Sequence, residues 1–316
     1  MKRTLTLAAF AAVAAGAHAQ VIYTENFSTD VTANWNYYGS ITGDTASIGD
    51  LGGTADFFFD YSTVGIPVAP NGTDTHGLKM QANVVGTGVF SGMSVVLQTQ
   101  SFTGDYTLRF DAWQNIIGPL PAGGSGSTQI TGAGIGGSNV SQWIGSPMSG
   151  VSVYATGDGG SASDYRMYNQ TAGAIVGTYA AGSQNNSNAY YAGFQGTVPA
   201  AQTAWANGQG FLNQTGSTQV GALGMAWHRW EVAKVGSTVT WSVDGLLIAT
   251  LTNATFSGNQ LFFAHSDINA TSSTDPFSNL SSFGLIDNVQ VEAVPEPATL
   301  AVLGLAAAAA LRRRKK

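Results

Sequence analysis

Carboxylates are the most abundant groups in this sequence that could do chemistry, and their spacing decides which chemistry. The chain has 18 Asp and Glu residues against 12 Lys and Arg residues. Glycoside hydrolysis needs two carboxylates that flank the scissile bond. Glu231 lies near Arg229 in a strand pattern, with no second acid two to five residues away. We therefore expect Glu231 to form an ion pair or to face solvent, and Asp267, in HSDIN (265–269), to be a loop residue.

Nucleophilic and transition-metal chemistry have no support in the sequence. The chain has no cysteine and no G-x-S-x-G turn that could expose an activated serine. His76, His228 and His265 lie far apart and lack the spacing of zinc ligands. We therefore predict that the protein is not an enzyme. The alternative is a polysaccharide-active hydrolase or lyase whose acids come together only in the fold.

Aromatic residues in or beside apparent loops form a second group of candidates. Exposed rings stack on the apolar faces of sugars, while Asp, Asn and Arg side chains bond the hydroxyls. The candidate ligand-binding rings are Trp35, Trp113, Tyr190 and Tyr191. The alternative is that they are ordinary core or loop-anchoring residues, and this is the clear expectation for Trp230 and Trp241.

The elements that must position these residues have the patterns of β-strands. Short runs of β-branched and aromatic residues recur between Gly, Ser, Asn and Asp clusters, and no long stretch has the helical period. Apolar and polar residues alternate in MSVVLQTQ (93–100), YTLRFDAW (106–113) and GVSVYATG (150–157). These patterns predict an all-β protein built as a two-sheet antiparallel β-sandwich.

The clearest unit is AWHRWEVAKVGSTVTWSVDGLLIATL (226–251), which predicts a three-stranded β-meander. Its second turn is Asp244-Gly245, a pair that tolerates the positive φ of a tight hairpin. By contrast, the Gly-rich segment 118–139 is expected to contain a mobile loop, and 178–205 is expected to be a long loop. No linker divides the chain, so we predict one domain.

The N-terminus has the three parts of a secretory signal peptide. Residues 1–3 (MKR) are basic, residues 4–16 are apolar, and Ala17-His18-Ala19 is a small-residue cleavage site. Signal peptidase would then leave Gln20 as the first mature residue. The alternative is a buried N-terminal helix.

The C-terminus has the features of a stop-transfer signal. Residues 298–311 are apolar but shorter than the roughly 20 residues that usually span a bilayer. Five bases follow at 312–316, and basic residues resist translocation. We expect this end to hold the chain transiently at the membrane.

The tail resembles a PEP-CTERM sorting signal, because the Val294-Pro295-Glu296-Pro297 step, the apolar run and the basic cluster occur in that order. The resemblance covers only about residues 294–316. It implies an exported protein of a Gram-negative envelope, cleaved near this step by an exosortase-type membrane protease and released to the surface or into an extracellular matrix. The residues that carry this signal are Pro295, Glu296, Pro297, Arg312, Arg313 and Arg314. An ordinary single-span anchor is the alternative.

The charge of the mature chain argues against nucleic-acid binding. Seven of the twelve bases lie in the two processed ends. Five bases against eighteen acids leave a net charge near −13. Such a surface repels phosphate backbones and attracts divalent cations.

Two further resemblances concern the β-sandwich and a metal. Trp227-His228 and Val243-Asp244-Gly245 resemble hairpins of laminin-G-like, concanavalin-type jelly rolls, folds often used for sugar binding or adhesion. The opening E-x-F at Glu25 and the closing I-D-N-V at Asp287 resemble the ends of calcium sites in some carbohydrate-binding jelly rolls. The resemblance implies a structural calcium ion bound by Glu25 and Asp287, with Asp30 as a further ligand. A polar strand end and turn is the alternative.

The sequence thus predicts a signal peptide with a helix at 1–19, a β-sandwich ectodomain at 20–293 and a sorting signal with a short hydrophobic transmembrane helix at 294–316. Its predicted role is that of a non-catalytic envelope or matrix protein that binds extracellular polysaccharide. A purely structural matrix or surface-layer component is a further alternative.

Overall fold

The structure of the protein is a computed structural model. It describes residues 19–41, 53–82, 91–119, 128–144, 146, 148–170, 174–268 and 277–294. Ala17 of the signal peptide and all six sorting residues predicted between Pro295 and Arg314 lie outside these ranges. Within these ranges, no helix is long and apolar enough to cross a membrane.

The described residues form fifteen β-strands and two short α-helices. The strands are β1 (Gln20–Glu25), β2 (Trp35–Ile41), β3 (Gly53–Asp60), β4 (His76–Ala82), β5 (Ser91–Leu97), β6 (Tyr106–Asn115), β7 (Gln129–Gly137), β8 (Val151–Thr156), β9 (Tyr165–Asn169), β10 (Thr178–Tyr179), β11 (Trp227–Val235), β12 (Thr238–Val243), β13 (Leu246–Leu251), β14 (Gln260–Asp267) and β15 (Phe283–Ala293). The helices are α1 (Ala200–Gly208) and α2 (Ser278–Ser281), and single 3₁₀ turns occur at Thr32–Asn34, Tyr61–Val64 and Ala189–Tyr191.

The strands form two antiparallel sheets that pack face to face. The larger sheet has the order β10-β13-β12-β11-β6-β15-β4-β3, and β1 also pairs with β15. The smaller sheet has the order β2-β5-β14-β7-β8-β9. The predicted all-β, two-sheet jelly-roll sandwich is therefore confirmed.

Strand alternation in the larger sheet builds the core. Leu108 and Phe110 of β6 are at most 1% exposed, and the Phe110 ring meets Phe263 of β14 with ring centroids 5.1 Å apart. Trp230 and Trp241 lie in the same core with ring centroids 5.1 Å apart, as the alternation predicts. Burial of these large apolar surfaces drives the two sheets together.

The predicted β-meander is present as β11, β12 and β13. Asp244 and Gly245 form the turn between β12 and β13 with φ values of 49° and 79°. Only a residue pair that tolerates positive φ can make this two-residue connection without strain.

In the Gly-rich segment, residues 129–137 form β7, an interior strand of the smaller sheet that the sequence did not predict, and the predicted mobile loop falls in part on residues 120–127, which lie outside the described residues. A side chain at Gly134 would overlap the ring of Phe262 on the neighbouring strand β14. The missing side chain at Gly134 leaves room for the tip of the Phe262 ring. The position therefore serves close packing rather than mobility.

The first and last strands pair, as expected for the ends of the sandwich. Gln20 is opposite Ala293 and Glu25 is opposite Val289. The register of β15 against β6 is irregular between Asp287 and Gln290. This irregularity lies where the strand beside β15 changes from β4 to β1.

Candidate functional site

A polar groove of about 410 Å³ lies where β4 and β1 diverge along β15. Asn288 adopts a positive φ of 50° at this point. The strand irregularity therefore places polar side chains from distant parts of the chain around one recess. The lining residues are Thr24, Glu25, Asn26, Asn71, Arg229, Asn288, Val289 and Gln290.

Beneath the groove, the buried carboxylate of Asp111 organises the lining. It is 1% exposed and accepts hydrogen bonds from Asn71 Nδ2 at 2.8 Å and from Asn71 N at 3.2 Å. It also accepts hydrogen bonds from Asn288 Nδ2 at 2.9 Å and from Arg229 Nη1 at 3.2 Å. Four donors satisfy this carboxylate and make its burial tolerable.

The Arg229 guanidinium is held from two sides. Its Nη1 donates to Asp111 and, at 2.9 Å, to the main-chain oxygen of Asn288. Its side chain is 26% exposed and lines the groove. A fixed guanidinium of this kind can direct its remaining donors at an oxygen-rich ligand without a large loss of side-chain entropy.

Asp287 lies next to Asp111 in the strand register and is also 1% exposed. Its Oδ1 accepts a hydrogen bond from Asn288 N at 2.6 Å, and its Oδ2 lies 3.1 Å from the hydroxyl of Tyr61. Burial, together with the charge of Asp111, raises the pKa of Asp287 to about 7. Two adjacent buried carboxylates of this kind resist being charged together.

The three predicted calcium ligands do not share one site. Glu25 lines the groove and accepts a hydrogen bond from Phe27 N at 2.9 Å. Asp287 is buried and is not part of the groove lining. Asp30 is exposed and is engaged by the hydroxyl and main-chain N–H of Thr32, which lower its pKa.

The described part of the chain holds no group of three or more His, Asp or Glu residues placed to bind a metal ion. The predicted set of three carboxylates therefore does not fit a calcium ion. A site made by Glu25 and Asp287 with main-chain oxygens stays a prediction.

Burial corrects the predicted set of sugar-stacking rings. Trp35, Trp113 and Tyr191 are 4%, 2% and 0% exposed, so the prediction is wrong for these three rings. Trp35 and Tyr191 pack in the main core, and Trp113 packs in a second cluster on the outer side of the larger sheet. Tyr190 is 37% exposed and donates a hydrogen bond to the Leu247 carbonyl at 2.8 Å.

Residues 293–315 match the PEP-CTERM protein-sorting motif. This match confirms the sorting signal predicted from the tail. A PEP-CTERM motif implies export of the chain, transient anchoring through the C-terminus and processing by an exosortase.

Comparisons with whole proteins add only distant similarities. No curated protein matches the chain in sequence. Similar solved structures include a protein of unknown function with a galectin-like fold from Bacillus subtilis, at 9% identity over 88% of this chain and 98% of that chain, with a TM-score of 0.41. The exoplasmic/lumenal domain of VIP36 in a Ca²⁺/Man3GlcNAc-bound form is 9% identical over 88% and 91%, with a TM-score of 0.43. The carbohydrate-binding module CBM66 from Bacillus subtilis is 10% identical over 81% and 99%, with a TM-score of 0.37. At these TM-scores, the similarities carry no inference about a ligand.

The sequence did not reveal the residues that shape the groove. Asn71 and Asn288 lie more than 200 positions apart, and neither belongs to a recognisable motif. For Asp111 and Arg229 the sequence did contain an indication, because strand alternation predicts that both side chains face outward. Their register as cross-strand neighbours becomes visible only once β6 is paired with β11.

Two other acidic residues, Glu231 and Asp267, lie in different environments. Glu231 forms an ion pair with Arg109 at 2.7 Å, which agrees with its predicted role. Asp267 is the last residue of β14 and is 1% exposed, so the expectation of a loop residue is wrong.

A histidine–carboxylate pair is a further feature that the sequence did not indicate. His228 Nδ1 lies 2.7 Å from Asp244 Oδ2. The His228 Nε2 atom is buried without a hydrogen-bond partner, and the imidazole packs edge-on against Phe194. His228 therefore faces an aromatic ring rather than an open substrate site.

Proposed function

We propose that this protein is an exported envelope or matrix component that binds an extracellular polysaccharide without catalysis, through the groove around Arg229. The proposal keeps the boundaries predicted from the sequence, with a signal peptide at 1–19, an ectodomain at 20–293 and a sorting signal at 294–316. The PEP-CTERM match supports export and exosortase processing. The groove supports the binding role.

The chemistry of the groove lining is the observation that carries the proposal. It offers the amides of Asn26, Asn71 and Gln290, the carboxylate of Glu25 and the guanidinium of Arg229. Such groups donate and accept hydrogen bonds as sugar hydroxyls require. A pocket for an apolar small molecule would be lined mainly by hydrophobic side chains.

The same geometry favours binding over hydrolysis. A glycosidase needs two carboxylates flanking an accessible bond, and Glu25 is the only acid in the groove lining. Asp111 is buried and engaged by four donors, so it cannot serve as the second carboxylate.

Binding can be tested with the exported protein on a panel of neutral and acidic bacterial polysaccharides, using isothermal titration calorimetry. Thr24→Ala combined with Gln290→Ala removes two lining groups. We expect binding to weaken about tenfold, because two neutral hydrogen bonds are worth roughly 1–3 kcal/mol together.

The matched control carries Thr240→Ala and Gln209→Ala, neither of which lines the groove. Equal weakening in both double variants would place the binding site elsewhere. A folded protein that binds no polysaccharide would leave the purely structural matrix component as the better interpretation.

A further inference from the structure

The first and last strands meet the two processed segments at the same end of the sandwich. Gln20, the first residue of β1, is opposite Ala293, the last residue of β15. Residues that face each other in antiparallel strands have Cα atoms about 4.5–5.5 Å apart. The predicted signal peptide and the sorting motif therefore join the ectodomain side by side.

The folded domain holds the chain up to the residue that precedes the Pro-Glu-Pro step. Val294 N donates a hydrogen bond to the main-chain oxygen of Asp105 at 2.9 Å. The Asp105 side chain in turn accepts a hydrogen bond from Gly236 N at 2.7 Å. Val294 is thereby joined to two neighbouring loops, and Pro295 follows it directly in the sequence.

Covalent geometry limits the distance from Val294 to the membrane. The apolar run of the sorting signal begins at Ala298, four residues after Val294. Four residues of fully extended chain span at most about 14 Å. The headgroup layer on each side of a bilayer is itself about 5–8 Å thick. While the sorting signal is in the membrane, Val294 therefore lies no more than about 6–9 Å above the headgroups.

The length of the apolar run brings the domain closer still. Residues 298–311 would span about 21 Å as a helix, whereas the hydrocarbon core of a bilayer is about 30 Å thick. A run that is too short is accommodated by thinning of the bilayer and by adjustment of the flanking residues. Both effects draw the residues that precede the run, and the folded domain above them, towards the headgroups.

The ends of three strands and two loops surround the point where the chain leaves the domain. Ala293 of β15 and Lys234 of β11 are both opposite Tyr106, the first residue of β6. The loop before β6 and the turn after β11 therefore lie beside the end of β15, and the start of β1 lies on its other side. We call these neighbours the terminal surface, which consists of residues 20–22, 104–105 and 234–237.

The terminal surface exposes apolar side chains and carries balanced charge. Val21, Ile22 and Val235 are 44%, 42% and 52% exposed. The charged residues of this surface are Asp105 and Lys234, one acid and one base, although acids outnumber bases in the mature chain. Exposed aliphatic side chains on a surface without excess charge are suited to the boundary between lipid headgroups and acyl chains.

We propose that the terminal surface is a membrane-contact surface, which lies against the lipid headgroups while the sorting signal is attached and leaves them after cleavage. The short connection from Val294 to the apolar run enforces the contact. The opposite end of the sandwich points away from the bilayer, since β6 alone extends about 30 Å from Tyr106 to Asn115. The proposal follows from the sorting motif and does not depend on polysaccharide binding.

The contact can be measured with a fluorescent label, because the chain has no cysteine and a single introduced cysteine is unique. The full chain is purified with its sorting signal attached, from a host that lacks an exosortase. It is reconstituted into vesicles of phosphatidylethanolamine and phosphatidylglycerol that contain a lipid with a nitroxide on its headgroup. Ser237→Cys places the label in the terminal surface. We expect the nitroxide to quench it at least threefold more than the same label at Leu212→Cys.

Leu212 is the matched control position. It is an apolar residue that is 75% exposed, so a label there is at least as accessible as one at Ser237. Gln214, two residues further on, accepts a hydrogen bond from Gly118 N at 2.7 Å, beyond the far end of β6. The two labels therefore differ in the end of the sandwich that they occupy.

A spacer tests whether the short connection enforces the contact. Twelve Gly and Ser residues inserted between Val294 and Pro295 add a flexible segment with a root-mean-square length of about 20 Å. We expect the quenching of the Ser237→Cys label to fall at least twofold, while flotation shows that the chain stays with the vesicles.

Four results would overturn the proposal. Equal quenching of the two labels is one, and stronger quenching at Leu212→Cys would place the opposite end against the lipid. Unchanged quenching after insertion of the spacer would show that the short connection does not enforce the contact. A folded chain that does not float with the vesicles would lack the anchoring on which the contact depends.

Discussion

Arg229 and Asp111 are cross-strand neighbours on β11 and β6, and the buried carboxylate of Asp111 positions the partly exposed guanidinium of Arg229. Asp111 is buried beneath the groove, whereas Arg229 lines it. Because Asp111 also bonds Asn71 and Asn288, one carboxylate sets the positions of three lining residues. The side chains that line the groove are therefore held in place by a buried carboxylate beneath it.

Asp111→Asn should destabilise the protein by about 3 kcal/mol, because an amide nitrogen would then face groups that already donate hydrogen bonds. Urea unfolding of the variant and its parent measures this difference. Asp56→Asn is the isosteric control, and it should change the free energy of unfolding by less than about 0.5 kcal/mol. Similar losses in the two variants would show that the Asp111 network contributes no special stability.

The raised pKa of Asp287 predicts that the free energy of unfolding decreases from mildly acidic to neutral pH. An unfolded Asp titrates near 3.9, whereas the folded residue has its pKa raised to about 7 by burial and by Asp111. Between these values the folded state binds more protons than the unfolded state. The free energy of unfolding therefore decreases as the pH rises through this window. Asp158, whose pKa is also raised to about 7, contributes in the same direction.

Asp287→Asn removes one of these titrations. Its free energy of unfolding should vary with pH less than that of the parent, by roughly 1–4 kcal/mol across the window. Urea unfolding at several pH values, in the presence of a chelator, measures the slope. An unchanged slope in the variant would show that Asp287 titrates normally.

The parts of the fold that could be predicted are those with a local pattern. Residues 106–113 and 226–251 alternate because one face of each strand meets the core and the other does not. Strand β7 could not be predicted in this way. Its residues are buried on both faces, and four of its nine positions are glycine, so neither alternation nor β-branched composition marks it.

The candidate site was less predictable because its members are joined by tertiary structure. Glu25 was identified, but Asn71 and Arg229 reach the same groove from other elements. The aromatic candidates failed for a related reason. A ring near a sequence loop can still point into a core, and Trp35 and Tyr191 both do so.

Gly134→Ala tests the explanation given for β7. The added methyl group would overlap the Phe262 ring, and overpacking of this kind costs about 1–3 kcal/mol. Gly208→Ala is the matched control, since a Cβ there meets nothing within 4 Å. The double variant Gly134→Ala/Phe262→Leu should recover part of the loss. Equal effects of the two single variants, measured by urea unfolding, would contradict the packing argument.

Loss of the Pro-Glu-Pro step of the sorting motif is expected to impair release of the protein from the membrane, but not its folding. Replacing Pro295, Glu296 and Pro297 by alanine removes the Pro-Glu-Pro step of the motif but changes no residue of the ectodomain. We expect the variant to accumulate in the membrane fraction with its basic tail attached, whereas the parent is released in a shorter form. Fractionation of the producing cells, with intact-mass measurement of each fraction, distinguishes these forms. Release of the variant at the parental mass would show that cleavage does not depend on the Pro-Glu-Pro step.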